Sequence, residues 1–287
     1  MCDSLVALAP ATTGGVTIFA KNSDRPPAEV QRIETNPPRT ERHTQATHIV
    51  IDGSVAPTLA SVISRPAWCW GAEHGVNEAG VAIGNHSIYT TTDPRSFPPA
   101  LIGMDLVRLG LERADTAAAA VDVMTSMLER YGQGGTGHDP RIVGKDRPYW
   151  SSFLIADPTS AYMLETSATN WEAAPVADVA AMSNRTTIPA FDALHRHPGQ
   201  PVERLIDPRL AASRAVLAQR PVTVDAVAAH LRSHDSCAQA GWSVCMHVDT
   251  DEVTTASMIA ELPEHGPPVA WMLTGSPCCN EYVQYHC

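Results

Sequence analysis

The chain has 287 residues, 44% of them hydrophobic, and a formal net charge of −11, so it can bury a sizeable core, and with no basic run it is not expected to wrap nucleic acid. No window approaches the ~20 apolar residues of a membrane helix, and no basic leader followed by an apolar stretch opens the chain. Seven cysteines are too sparse, and odd in number, for a disulfide scaffold, which predicts a cytoplasmic protein with no membrane partner.

SLVALAP and GVTIFAKN are short apolar runs rich in strand formers, separated by ATTGG, whose paired glycines supply the positive φ angles of a tight turn. They read as a β-hairpin. With the turn centred between Thr13 and Gly14, paired residue numbers sum to about 26 or 27, so Cys2 faces Asp24 or Arg25 at a Cβ separation of about 4.5–5.5 Å. THIVID and AWCWGAEHGVNEAGVAIGNHSI read as further strands, with NEAG a turn inside the second. From Ala100 the period changes. Leu101, Met104 and Leu111 mark one helical face, and after Asp115 as N-cap, Val121, Met124 and Leu128 mark another that stops at Gly132. Strand character returns after the YGQGGTG loop in SSFLIA, AYMLET and NWEAAPV, linked as a meander by DPTS and SATN. Helices are predicted from Pro208 to Gln219 and from Thr223 to about Arg232, and VCMHV, TTASMIAEL and VAWMLTG close the chain as strands. Strand blocks separated by helix pairs predict a single α+β layered domain over residues 1–287 with antiparallel sheets.

A cysteine directly behind the initiator methionine has its own chemistry. Cysteine is small enough at position 2 for methionine aminopeptidase to remove Met1, and the α-amine so freed titrates near pH ~7.7–8.0 beside a thiol near ~8.5. The base then sits on the nucleophile's own backbone. On position alone, an ordinary buried or frayed cysteine near a terminus is the plainer reading of Cys2. Asn85-His86-Ser87 and Asn184-Arg185-Thr186 fit the glycosylation sequon, but without a secretory signal their asparagines need another explanation. The tail CCNEYVQYHC holds Cys278, Cys279, His286 and Cys287, yet adjacent thiols do not splay naturally around one tetrahedral ion, so no metal is expected.

MCDSLVAL, FAKNSDRP, WGAEHGVNEAGVAIGN, LERYGQGG, MLETSATNW, AMSN and WMLTGSP, in that order from end to end, resemble the secernin family and its bacterial cysteine dipeptidase relatives. The resemblance implies the four-layer αββα sandwich of the N-terminal nucleophile hydrolases, two antiparallel sheets between helical layers, similar to the choloylglycine and penicillin acylases. It also implies no cofactor and a homo-oligomer. Carried over, it makes Cys2 the nucleophile and its amine the base, with Asp24 holding that amine. Asn85 falls where those enzymes place an oxyanion donor, Asn184 where they place a second active-site asparagine, and Arg214, in AASRAVL, near their nucleophile-side arginine. Lys21 stands where choloylglycine hydrolases carry arginine, and a lysine cannot reproduce a planar bidentate contact, so bile-salt specificity is not implied. Lys21 and Arg25 are expected on the substrate side. The chain also stops sooner after WMLTGSP than the animal secernins do.

The implied activity is cleavage of a dipeptide or small N-acyl amine through a thioester at Cys2. The same thioester passed to an amine makes an acyltransferase, and a relative that keeps only the fold is a regulatory module. Residue by residue, plainer readings stay open: Asp24 as a turn residue before Pro26 and Pro27, Asn85 and Asn184 as strand-end residues, Arg25 as a solvated strand end. His74, His86 and His138 offer a papain-like partner, though twelve histidines make a chance candidate nearly certain. Trp68, Trp70, Trp150 and Trp171 suit either a pocket or the core, and His138-Asp139 sits on a loop that suits a cover.

Overall fold

The computed structural model describes residues 1–54, 56–235, 240–248 and 250–287. The opening runs form the two arms of a hairpin, β1 (Cys2–Ala7) and β2 (Thr17–Arg25). Their connection is wider than a tight turn: Ala9–Ala11 coils as a 3₁₀ turn around Pro10, and only then do Gly14 and Gly15 take positive φ of 87° and 67°. Thr12 Oγ1 ties this loop by bonding Ala9 O and Val16 O. The register is accordingly one residue off the expected pairing, with Cys2 opposite Ser23, Asp3 opposite Asn22, and the Asp24 amide donating to Met1 O.

The next strands are β3 (Gln31–Asn36), β4 (His43–Gln45), β5 (Val50–Asp52), β6 (Ser61–Pro66), β7 (His74–Asn77) and β8 (Ala82–Ile88). THIVID is thus a strand only over its last three residues, and AWCW is a turn after Pro66. NEAG turns as expected, with Gly80 at φ 84° and Asn77 Oδ1 accepting from the Ala79 and Val81 amides. Helices α1 (Gly103–Arg113) and α2 (Ala117–Tyr131) follow. Thr116, not Asp115, caps α2 by accepting from the Ala119 amide, and Gly132 ends it at φ 74°. After the short α3 (Pro140–Val143), β9 (Trp150–Ala156), β10 (Ala161–Ser167) and β11 (Asn170–Pro175) make the predicted meander, followed by β12 (Val179–Met182). Then come α4 (Pro189–His195), α5 (Val202–Leu205), α6 (Asp207–Ala218) and α7 (Val224–Leu231), and last β13 (His247–Val248), β14 (Glu252–Leu262), β15 (Val269–Thr274) and β16 (Val283–Tyr285).

Two seven-stranded antiparallel sheets result, ordered β12-β1-β2-β14-β15-β16, with β13 also on β14, and β11-β10-β9-β8-β7-β6-β3, and β4 and β5 pair as a separate two-stranded sheet. Side chains alternate across each strand, so each sheet feeds two cores. Between the sheets, Val6 and Phe19 pack with Val62, Val76, Leu154 and Met258. Outside the second sheet, Ile63, Ile83 and Phe153 meet Leu106, Leu109 and Met124 of α1 and α2. Outside the first, Leu5, Ile18 and Ile259 meet Leu210 and Leu217 of α6 and Val227 and Leu231 of α7. The order of layers is helix, sheet, sheet, helix, the α+β sandwich expected. No helix among the described residues is long and apolar enough to cross a membrane.

Candidate active site

The hairpin register decides which way each site residue points. Cys2, Ser4, Lys21 and Ser23 lie on the face of β1 and β2 that looks toward the second sheet, while Asp3, Asn22 and Asp24 lie on the face that looks toward α6 and α7. The thiol and the carboxylate of Asp24 are therefore on opposite sides of one sheet. Asn184 and Arg209 link the two sides: Asn184 bonds the Cys2 nitrogen and Arg209, and Arg209 faces Asp24.

On the inner side, Cys2 is only 4% exposed and its Sγ lies 3.8 Å from Glu73 Oε2. Glu73, just ahead of β7, also receives Arg25 Nη1 at 3.1 Å and Lys21 Nζ at 3.6 Å. Lys21 Nζ donates 2.5 Å to Ser23 Oγ, which contacts His74 Nδ1 at 3.0 Å. With its amide oriented to satisfy its neighbours, Asn85 of β8 donates to Glu73 O at 3.1 Å and to Glu73 Oε2 at 2.8 Å. Strand β8 approaches this cluster so closely that a Cβ on Gly84 would stand 2.4 Å from Lys21 Cδ. Burial pushes the Cys2 thiol up, Lys21 and the terminal ammonium pull against it, and Glu73 adds to it, so the net direction is upward. The resting sulfur is a protonated thiol.

On the outer side, Arg209 of α6 is fully buried and gathers three partners. Nη1 meets Asp3 Oδ2 at 2.5 Å and Asp24 Oδ2 at 3.8 Å, while Nη2 donates 3.0 Å to Asn184 Oδ1. Thr254 Oγ1 donates 2.7 Å to Asp24 Oδ1. Burial lifts the Asp24 carboxyl to about 7, against the opposing pull of the terminal ammonium and Arg209. Asn184 Oδ1 also accepts the Cys2 amide at 2.9 Å, and Asn184 Nδ2 donates to Ser87 O at 2.9 Å. The Met1 ammonium donates 2.8 Å to Glu252 Oε2 and 2.7 Å to Asp24 O. Burial works against the ionised Glu252 carboxylate, but the Met1 ammonium and His138 hold it down to about 2.

Of the expected residues, Asn184 bonds the Cys2 nitrogen, Asn85 reaches the cysteine's side through Glu73, whose Oε2 lies 3.8 Å from Cys2 Sγ, and Asp24 meets the same Arg209 that holds Asn184. Arg214 stands apart: it is exposed on α6 and lines a surface groove with Val179, Leu217 and Arg220. Arg209, five residues earlier, is the arginine of this site. Lys21 and Arg25 are buried in ion pairs with Glu73, and Arg25 is further held by Glu29 Oε2 at 2.6 Å and Gly137 O at 2.7 Å. His74 and His86 are driven neutral by burial and by Lys21; they bond Ser23 and Ser4, and His138 faces Glu252 at 3.8 Å. That places the three rings outside a papain-like pairing. The His138-Asp139 segment is tied down, with the Asp139 amide on Glu29 Oε1 at 2.7 Å. Trp150 is core, and Trp171 is 38% exposed.

Sequence reasoning missed Glu73, Asp3, Arg209 and Glu252. Glu73 stands inside the WGAEHG run, and Asp3 directly after the cysteine, but no spacing marks either as a partner of Cys2. The tail does not close on itself either: Cys287 Sγ meets Val76 O at 3.3 Å and His286 meets Gln284.

No protein-family profile matches the chain. Among solved structures, an arginine-to-leucine variant of the conjugated bile acid hydrolase from Clostridium perfringens is 13% identical, covering 99% of this chain and 97% of that one, with a TM-score of 0.58. A cysteine-to-alanine mutant of that hydrolase is 11% identical over 99% and 96% of the two chains, TM-score 0.59. The N-acylethanolamine-hydrolyzing acid amidase ortholog of Caenorhabditis elegans is 13% identical over 95% and 100%, TM-score 0.54. What this chain shares with them is architecture, and that architecture is the N-terminal nucleophile hydrolase fold.

Proposed function

We propose that removal of Met1 turns this protein into an N-terminal-cysteine amide hydrolase of the secernin and cysteine dipeptidase type, acting on dipeptides or similar small amides with a free α-amine. The observation that carries this reading is the Cys2 nitrogen resting on Asn184 Oδ1, an acceptor fixed in turn by buried Arg209. Freed from Met1, that nitrogen donates one hydrogen to Asn184 and keeps its lone pair for the thiol proton. The amine takes the proton, the thiolate attacks the substrate carbonyl, and Asn85 exchanges its bond to Glu73 Oε2 for one to the oxyanion. Collapse passes the proton from the amine to the leaving nitrogen and leaves a thioester. Water, deprotonated by the same amine, attacks that thioester; the acid departs and the thiol regains its hydrogen.

Glu252 supports the preference for a free amine. It is a buried carboxylate that holds an α-ammonium, that of Met1, beside the nucleophile, and a substrate ammonium has the same charge and donors. A neutral acyl chain has neither. Three measurements test the reading together. The mature protein should lack Met1 by intact mass, Cys2→Ala should abolish hydrolysis, and a dipeptide should be cleaved in preference to its N-acetyl form. Asn85→Ala should cost ~10²–10³-fold in rate. Glu252→Gln should cost about tenfold or more in kcat/KM on the free-amine substrate and little on the acetylated one. Full activity of Cys2→Ala, or of protein still carrying Met1, refutes the mechanism; preference for the acetylated substrate refutes the substrate class.

A further inference from the structure

We propose that this chain carries a structural zinc ion held by His234, Cys245, His247 and Cys278. One ligand atom from each lies within 4.8 Å of all the others. The four come from three stretches: the segment after α7, the first residue of β13 with the cysteine two residues before it, and the turn after β15. His247 Nε2 is 3.5 Å from Cys245 Sγ and 3.3 Å from Cys278 Sγ, and the His234 and His247 rings meet edge to face with centroids 5.0 Å apart. Tetrahedral zinc, with Zn–S near ~2.3 Å and Zn–N near ~2.0–2.1 Å, sets its ligand atoms about 3.3–3.8 Å apart. Two of the separations already fall at that spacing, and a closure of about 1 Å over the widest completes the shell.

The donor set points to the metal. Two thiolates and two imidazoles suit zinc and disfavour magnesium or calcium, which want oxygen. Each thiol gives up its proton on binding, so two protons leave per ion, and two thiolates balance the zinc charge. That neutrality suits Cys245, which is fully buried.

The ion would also hold a piece of the active site. Cys245 and His247 flank Met246, whose amide donates 2.8 Å to Thr254 Oγ1 and whose carbonyl accepts the Thr254 amide at 3.0 Å. Thr254 is the residue whose hydroxyl supports Asp24. Zinc therefore acts through Met246 and Thr254 as a positioning element and touches neither substrate nor the Cys2 thiol.

The test is metal content, which does not depend on the proposed hydrolase activity. Full-length protein produced with zinc and purified without chelator should retain about one zinc per chain by elemental analysis. Cobalt exchanged into the site should give the thiolate charge-transfer band of a tetrahedral sulfur-ligated ion. Cys245→Ser and His247→Gln should each lower bound zinc at least about tenfold, while Cys279→Ser keeps it. If a ligand variant does not fold, the wild-type protein stripped by chelator should melt lower and recover with zinc but not with magnesium. Zinc-free protein with free thiols that takes up no cobalt overturns the proposal. So does a Cys245–Cys278 disulfide in the intact mass, or zinc lost in Cys279→Ser as readily as in Cys245→Ser.

Discussion

Replacing Arg209 by methionine separates the arginine of the structure from the one suggested by resemblance. The guanidinium is 0% exposed and serves Asp3, Asp24 and Asn184, each about 1% exposed. Methionine fills much of the volume but strands the Asp3 carboxylate and the Asn184 carbonyl in a dry interior. Breaking a buried ion pair by deleting one partner costs about 3–5 kcal/mol. Asp24 retains Thr254 and sits farther from the guanidinium, so Asp3 carries most of that cost. Against a typical total of ~5–15 kcal/mol, urea unfolding at neutral pH should show a midpoint shift that is hard to miss. Arg209→Lys should recover part of the loss, because one ammonium replaces the charge but not the two-pronged contact to Asp3 and Asn184. Adding Asp3→Asn to Arg209→Met should also recover part of it, since the orphaned charge is gone. Arg214→Ala, on the exposed side of α6, should stay within ~0.5 kcal/mol of wild type and keep full activity. A loss under ~1 kcal/mol for Arg209→Met, or an equal loss for Arg214→Ala, would refute the assignment.

Two further outcomes follow from the packing and the buried charges. Gly84→Ala places a methyl 2.4 Å from Lys21 Cδ and 3.3 Å from Phe19 Cζ, so it should destabilise the protein by about 1–3 kcal/mol in denaturant melts and lower hydrolysis by displacing Lys21 from Ser23 and Glu73. Burial lifts the Glu165 carboxyl from 4.5 to about 8, although the Thr187 and Ile188 amides donate to it. A carboxyl with a raised folded pKa binds its proton more tightly folded than unfolded. Its contribution therefore falls as pH rises from about 4.5 to about 8. Glu165→Gln keeps an acceptor for those amides without the titration, so its melting temperature relative to wild type should climb between pH 5 and pH 8; a constant difference across that range would rule this out.

The chain's local chemistry determined a good deal by itself. Short apolar runs rich in strand formers marked β1 and β2, turn residues at regular spacing marked the β9–β11 meander, the i, i+3, i+7 apolar spacing marked α2, a Thr223 start signal marked α7, and paired glycines marked the hairpin turn, because each signal depends only on neighbours along the chain. Cys2 stood out for the same reason, through its place behind Met1. Tertiary structure alone decided which groups meet it. A 3₁₀ turn inside the hairpin loop moved the register by one residue, and with period-2 alternation that single step decides which sheet face each side chain takes. Arg209 and Arg214 are about 140° apart around α6, so the rotation of one helix against its sheet chose between two similar sequence positions. Glu73, Glu252 and the His234–Cys278 quartet likewise join segments that share no period, and contacts of that range are set by packing of the layers rather than by any local propensity.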